Sequence, residues 1–93
     1  MPAAKHLVIH GRVQGVGYRD AAVQAAFTMS VTGWVRNRSD GTVEAQVQGE
    51  ADAVERFIAW CRRGPPLARV AGIDVRDIEA DASLGDFAWR PTA

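Results

Sequence analysis

The chain has 93 residues, 47% of them hydrophobic, and its 11 basic and 11 acidic side chains leave no formal net charge. That length fits one domain, spanning 1–93, rather than two, and an ordinary charged share of 24% excludes a disordered or low-complexity chain. The balance of signs argues against a general nucleic-acid binder, which carries an excess of Lys and Arg.

Residues His6 to Arg12 alternate with the period of a strand, Leu7 and Ile9 forming the inward face and His6, Val8, His10 and Arg12 the outward one. A glycine-rich turn follows, Gln14-Gly15-Val16-Gly17. The Ala-rich stretch from Tyr18 to Met29 predicts a helix, with Ala22, Val23, Ala26, Phe27 and Met29 as its apolar stripe. Trp34 to Arg38 reads as a second strand, Val35 and Asn37 sharing one parity and Trp34, Arg36 and Arg38 the other. Ser39-Asp40-Gly41 is a hairpin signal. Thr42 to Gln48 alternates cleanly, with Val43, Ala45 and Val47 on one side, until Gly49 breaks it. Glu50 to Arg63 is a helix whose Val54, Phe57, Ile58 and Cys61 fall on one face, and Gly64-Pro65-Pro66 stops it. Val70 to Ile78 is a fourth strand and Phe87 to Arg90 a short last one. The order β-α-β-β-α-β predicts an α+β, ferredoxin-like sandwich with two helices on one face of an antiparallel sheet.

Cys61 is the single cysteine, so no intrachain disulfide forms, and its helical spacing makes it a buried thiol rather than a nucleophile. No Cys/His cluster has zinc spacing, no signal peptide is visible, and no apolar run approaches the roughly 20 residues that cross a bilayer. The expected setting is the cytoplasm, without a membrane partner.

The chemistry concentrates in Gly11-Arg12-Val13-Gln14-Gly15-Val16-Gly17-Tyr18-Arg19. The glycines let backbone N–H groups converge on an anion, and the helix that follows adds its own free N–H groups. A cation at a helix N-terminus is disfavoured by the dipole, so Arg19 is informative: a bound anion would compensate it. A dinucleotide fingerprint would need a Gly where Asp20 stands, and neither a P-loop nor a nucleophile-elbow serine is present. A tight connection without a ligand is the competing reading of this turn.

Two runs together resemble the acylphosphatase family. Residues 11–19 match its Gly-x-Val-Gln-Gly-Val-x-aromatic-Arg signature, with Tyr18 as the aromatic. Residues 33–43 match its Gly-aromatic-Val-x-Asn-x-x-Asp-Gly-x-Val signature through Gly33, Trp34, Val35, Asn37, Asp40, Gly41 and Val43. After Gly49 only length and hydrophobic pattern agree, and Asp20 stands where the family often has a further aromatic. The resemblance implies hydrolysis of acyl phosphates to a carboxylate and inorganic phosphate, with no metal or other cofactor. Arg19 and backbone N–H groups of the loop Gln14, Gly15, Val16, Gly17, Tyr18 and Arg19 would bind the phosphate, and Asn37 would hold the attacking water. A carboxylate leaves readily, its conjugate acid having a pKa of roughly 4, so no general acid is required. The remaining work is to position the water and stabilise the phosphoryl oxygens. An amide offers both an acceptor and donors and orients water without titrating.

Other residues invite weaker readings. His6 and His10 are expected on a solvated outer face rather than as a metal pair. Trp34, Arg36 and Arg38 could stack RNA bases, but cross-strand pairs with Glu44 and Gln46 explain that face as well. Trp60 and Trp89 carry no functional signal. The expected partner is a small acyl phosphate bound by a monomer, without nucleic acid. The alternative is a ferredoxin-like module that binds a phosphorylated ligand or RNA without turnover, which would need Arg19 and the glycines but not Asn37. An isolated copy of the acylphosphatase-like domain of the hydrogenase-maturation carbamoyltransferases is a third reading, disfavoured because no zinc-finger or transferase segment follows.

Overall fold

A computed structural model describes residues 2–93. Strand β1 spans Pro2–Arg12, helix α1 Tyr18–Met29, β2 Thr32–Asn37, β3 Val43–Glu50, α2 Ala51–Arg63, β4 Arg69–Asp77 and β5 Ala88–Arg90. The sheet order is β4-β1-β3-β2-β5. The first four strands pair antiparallel, β1 lying between β3 and β4. The short fifth strand pairs parallel with β2, so the whole sheet is mixed rather than antiparallel throughout.

The core lies between the sheet and the helices. The inward residues of the strands, Leu7, Ile9, Val35, Val43, Ala45 and Val47, are all buried. Against them pack Val54, Phe57, Ile58 and Cys61 of α2 and Tyr18, Ala22 and Ala26 of α1. The Cys61 thiol is buried as its spacing requires, and desolvation pushes its pKa up to about 12, which silences it as a nucleophile. The Tyr18 hydroxyl donates to the Cys61 carbonyl at 2.7 Å and ties the start of α1 to α2.

Four local expectations change. Phe27 is 85% exposed, not part of the buried stripe. The fully buried residues of α1 are Tyr18, Ala22 and Ala26, flanked by the partly buried Val23, Ala25 and Met29, and Phe27 lies about 100° around the helix from Ala26. Strand β1 begins at Pro2 rather than His6, because β3 continues through Gly49 to Glu50 and supplies partners for Pro2 and Ala3. Gly49 therefore does not break β3. The third change is at Trp34, which is only 8% exposed although it faces away from the helices. The guanidinium carbons of Arg36 and Arg90 lie 4.9 and 4.8 Å from its ring centroid and cover it.

The fourth concerns the outer face, which is paired rather than merely solvated. His6 meets Glu44 at 2.7 Å and His10 meets Asp74 at 2.9 Å, while Arg36 Nε donates to Glu44 at 2.7 Å. Burial alone would raise the Glu44 pKa, but the bonds to His6 and Arg36 outweigh it and hold the carboxyl below its ordinary value. Arg36 pairs with Glu44 in the β2–β3 register, as cross-strand pairing requires.

Candidate active site

The turn between β1 and α1 is shaped by two left-handed glycines, Gly15 at φ +73° and Gly17 at φ +76°. A side chain at either position would be strained. Neither is crowded, since a Cβ there would meet nothing within 4 Å; the glycines serve the backbone path and leave open space in front of it. Between them Val16 turns its side chain against the core. Gly17 is the N-cap of α1, and no side chain among the described residues caps the first turn, which leaves its first N–H groups without a side-chain partner there.

Arg19 is the second residue of α1. Its Nη1 donates to the Arg90 carbonyl at 3.3 Å, and its guanidinium carbon lies 4.9 Å from the Trp89 ring centroid. Asn37 is the last residue of β2, on the same face as Val35. Its backbone is held between Val43 on β3 and the N–H of Ala93, which donates to its carbonyl at 3.0 Å. Its side-chain amide is half-buried and makes no hydrogen bond among the described residues. Glycines 15 and 17, Tyr18, Arg19 and Asn37 line one cleft of about 230 Å³, together with Val13, Asp20 and Trp89.

Gln14 connects the two sides. Its Nε2 donates to the carbonyls of Arg38 at 2.7 Å and Thr42 at 2.9 Å, tying the glycine turn to the hairpin that follows Asn37. The hairpin is braced by Asp40, which accepts from the Thr42 N–H at 3.0 Å and hydroxyl at 2.6 Å. Those two bonds lower the Asp40 pKa. Loop and hairpin are thereby tied together, and Arg19 and Asn37 both line the cleft. Among the described residues no three His, Cys, Asp or Glu side chains gather as metal ligands, and no helix is long and apolar enough to cross a membrane.

Residues 5–89 match the family model described as acylphosphatase. The chain is 60% identical over 89 residues to the acylphosphatase of Acidiphilium cryptum, covering 96% of this chain and 97% of that one. It is 51% identical over 83 residues to that of Methylococcus capsulatus, with 89% and 90% covered. The chain belongs to the acylphosphatase family. The crystal structure of acylphosphatase from Bacillus subtilis superposes on it with a TM-score of 0.90 at 31% identity, over 97% of this chain and 99% of that chain.

Within this acylphosphatase fold the residues singled out from sequence divide into two groups. Gly15, Gly17, Tyr18, Arg19 and Asn37 line the cleft. The side chains of Gln14 and Val16 do not: one braces the hairpin and the other packs on the core. The Tyr18 hydroxyl is likewise turned away toward Cys61, so what Gln14, Val16 and Tyr18 can offer a ligand is backbone. Trp89 carries no functional signal in the sequence, yet it stands in the cleft against Arg19. Its one local signal was parity with the buried Phe87, which points it toward the helices.

Proposed function

We propose that this cleft hydrolyses the carboxyl–phosphate bond of acyl phosphates, releasing a carboxylate and inorganic phosphate. Arg19 and the N–H groups of the Gln14–Arg19 loop hold the phosphoryl group. Asn37 holds the attacking water in line with the leaving carboxylate. The observation that carries this is Asn37: a half-buried amide without a hydrogen-bond partner among the described residues, in the cleft that Arg19 and the two left-handed glycines also line. A polar group so placed is satisfied by a ligand or water.

The arrangement suits the chemistry. Charge spreads over the equatorial phosphoryl oxygens in the transition state, where a guanidinium and oriented N–H groups stabilise it. The leaving carboxylate needs no protonation, and the substrate's own phosphate oxygens take the proton of the water. The acyl phosphate is the partner, and residues 1–93 act as one cytoplasmic, monomeric unit without a cofactor. The outer face offers no base-stacking platform in this reading, because Arg36 and Arg90 already cover Trp34.

The test follows hydrolysis of an aryl acyl phosphate by ultraviolet absorbance, in excess chelator, for the wild type and Asn37→Ala. Rapid turnover that falls at least a hundredfold in the variant, with inorganic phosphate still bound, supports the reading. A folded wild type that binds phosphate without turnover would instead be a binding module.

A further inference from the structure

Arg19 carries a problem that the proposed mechanism leaves open. A cation in the first turn of a helix is repelled by the dipole, and a flexible arginine loses conformational freedom when it is fixed. Before phosphate arrives, something else must keep the guanidinium over the cleft.

Strand β5 provides it. Phe87 is buried against Phe57 at a centroid distance of 5.3 Å. Arg90 lies over Trp34 on the opposite face of the sheet. The strand is thus anchored on both faces, and Trp89 between these anchors pairs with Val35 in the parallel register with β2. It shares the inward side with Phe87 but stands past the end of the core, at the cleft, 52% exposed. The face of its ring takes the Arg19 guanidinium and the adjacent Arg90 carbonyl accepts from Nη1. A ring face and a carbonyl oxygen both present negative potential to a cation.

We propose that Trp89 is a positioning residue: its ring, with the neighbouring Arg90 carbonyl, holds the Arg19 guanidinium in its phosphate-binding orientation before the substrate enters. This rests on the reading of Arg19 as the phosphate-binding cation. Trp89 acts through Arg19, so its contribution must vanish when Arg19 is gone.

The experiment is a double-mutant cycle in the full chain, with Trp89→Leu, Trp89→Phe, Arg19→Ala and the combination Arg19→Ala/Trp89→Leu. Each is assayed for kcat and KM, and for competitive inhibition by inorganic phosphate. Trp89→Leu keeps apolar bulk and removes the ring. It is expected to weaken phosphate inhibition and kcat/KM by roughly threefold to tenfold, the usual worth of a half-exposed cation–π contact, with Trp89→Phe falling between it and the wild type. In the Arg19→Ala background the same substitution is expected to cost nothing further. Circular dichroism melts confirm folding, and if Trp89→Leu does not fold, the cycle is run with Trp89→Phe. A Trp89 loss that persists undiminished without Arg19 overturns the proposal, as does an unaltered phosphate inhibition constant. Arg19→Ala that keeps wild-type turnover overturns the reading of the cleft and this inference with it. A harmless Trp89→Leu beside a crippled Arg19→Ala overturns the inference alone.

Discussion

Strand β1 reaches α1 through a loop, Val13 to Gly17, whereas β3 runs directly into α2, with Glu50 as both its last residue and the helix N-cap. The two junctions occupy equivalent places in the two βαβ halves. At the second, Glu50 has an ordinary extended backbone, φ −60° and ψ 142°. The helix it opens carries Asp52 in the first turn and Arg62 and Arg63 in the last, as the dipole favours. At the first, the N-cap is a left-handed glycine and the second residue of the helix is an arginine. The fold requires neither of these features, since the other half closes without them. A junction that departs from the better local choice at its N-cap and at Arg19, although Asp20 also lies in that first turn, is where a functional site is expected.

The contrast breaks most sharply at Arg19. Arg19→Ala is expected to lower kcat/KM by about 10³-fold, which is roughly 4 kcal/mol of transition-state stabilisation. The melting temperature should stay near that of the wild type. Steady-state kinetics with a thermal melt on the same preparation checks both. A loss under tenfold in a folded variant would make the first junction as structural as the second.

The reverse pattern is expected in the other half. Phe57 is fully buried on α2, stacked near Trp60 at 6.1 Å and tilted against Phe87 at 5.3 Å. Phe57→Ala should cost about 3–4 kcal/mol of stability by urea denaturation. The fraction that remains folded should keep a near-normal KM. A variant of full stability but poor KM would show that α2 also serves the cleft.

The smallest effect tests the glycine turn itself. Gly17→Ala places a side chain at φ +76° in open space, so the cost is backbone strain of about 1 kcal/mol, seen as a small fall in the urea midpoint. Inorganic phosphate should bind more weakly to this variant, because the N–H groups of the turn are re-aimed. Unchanged phosphate inhibition would mean that the turn does not hold the anion.

Much of this was legible in the residue order. The alternation of Val43, Ala45 and Val47 places β3, and the spacing of Val54, Phe57, Ile58 and Cys61 places α2, because each pattern spans several periods of one element. The glycines around Val16 and the Arg that follows point to an anion site on local chemistry alone. The parity of Asn37 with Val35 puts it on the helix-covered side. Where an element's length depends on a distant partner, local reading fails. Pro2 to Lys5 extends β1 because β3 pairs with it through Glu50, and Gly49 stays in its strand for the same reason. Phe27 falls in the same apolar run as Ala22 and Ala26, which are buried, and Val23 and Met29, which pack against the core at its edge, yet it points to solvent.

The sequence by itself therefore determined the order of elements and the two halves, and it singled out the glycine turn with Arg19 and Asn37, all written in short runs of adjacent residues. Only the tertiary structure decided what surrounds them. It gave the side chain of Gln14 to the hairpin, covered Trp34 with two arginines, and brought Trp89 from the far end of the chain to Arg19. The physical reason is distance in the chain: Gln14 reaches a hairpin 24 and 28 residues on, and Trp89 and Arg90 arrive on a three-residue strand whose place beside β2 is set by packing of Phe87 and Arg90 and leaves no periodic trace in the sequence.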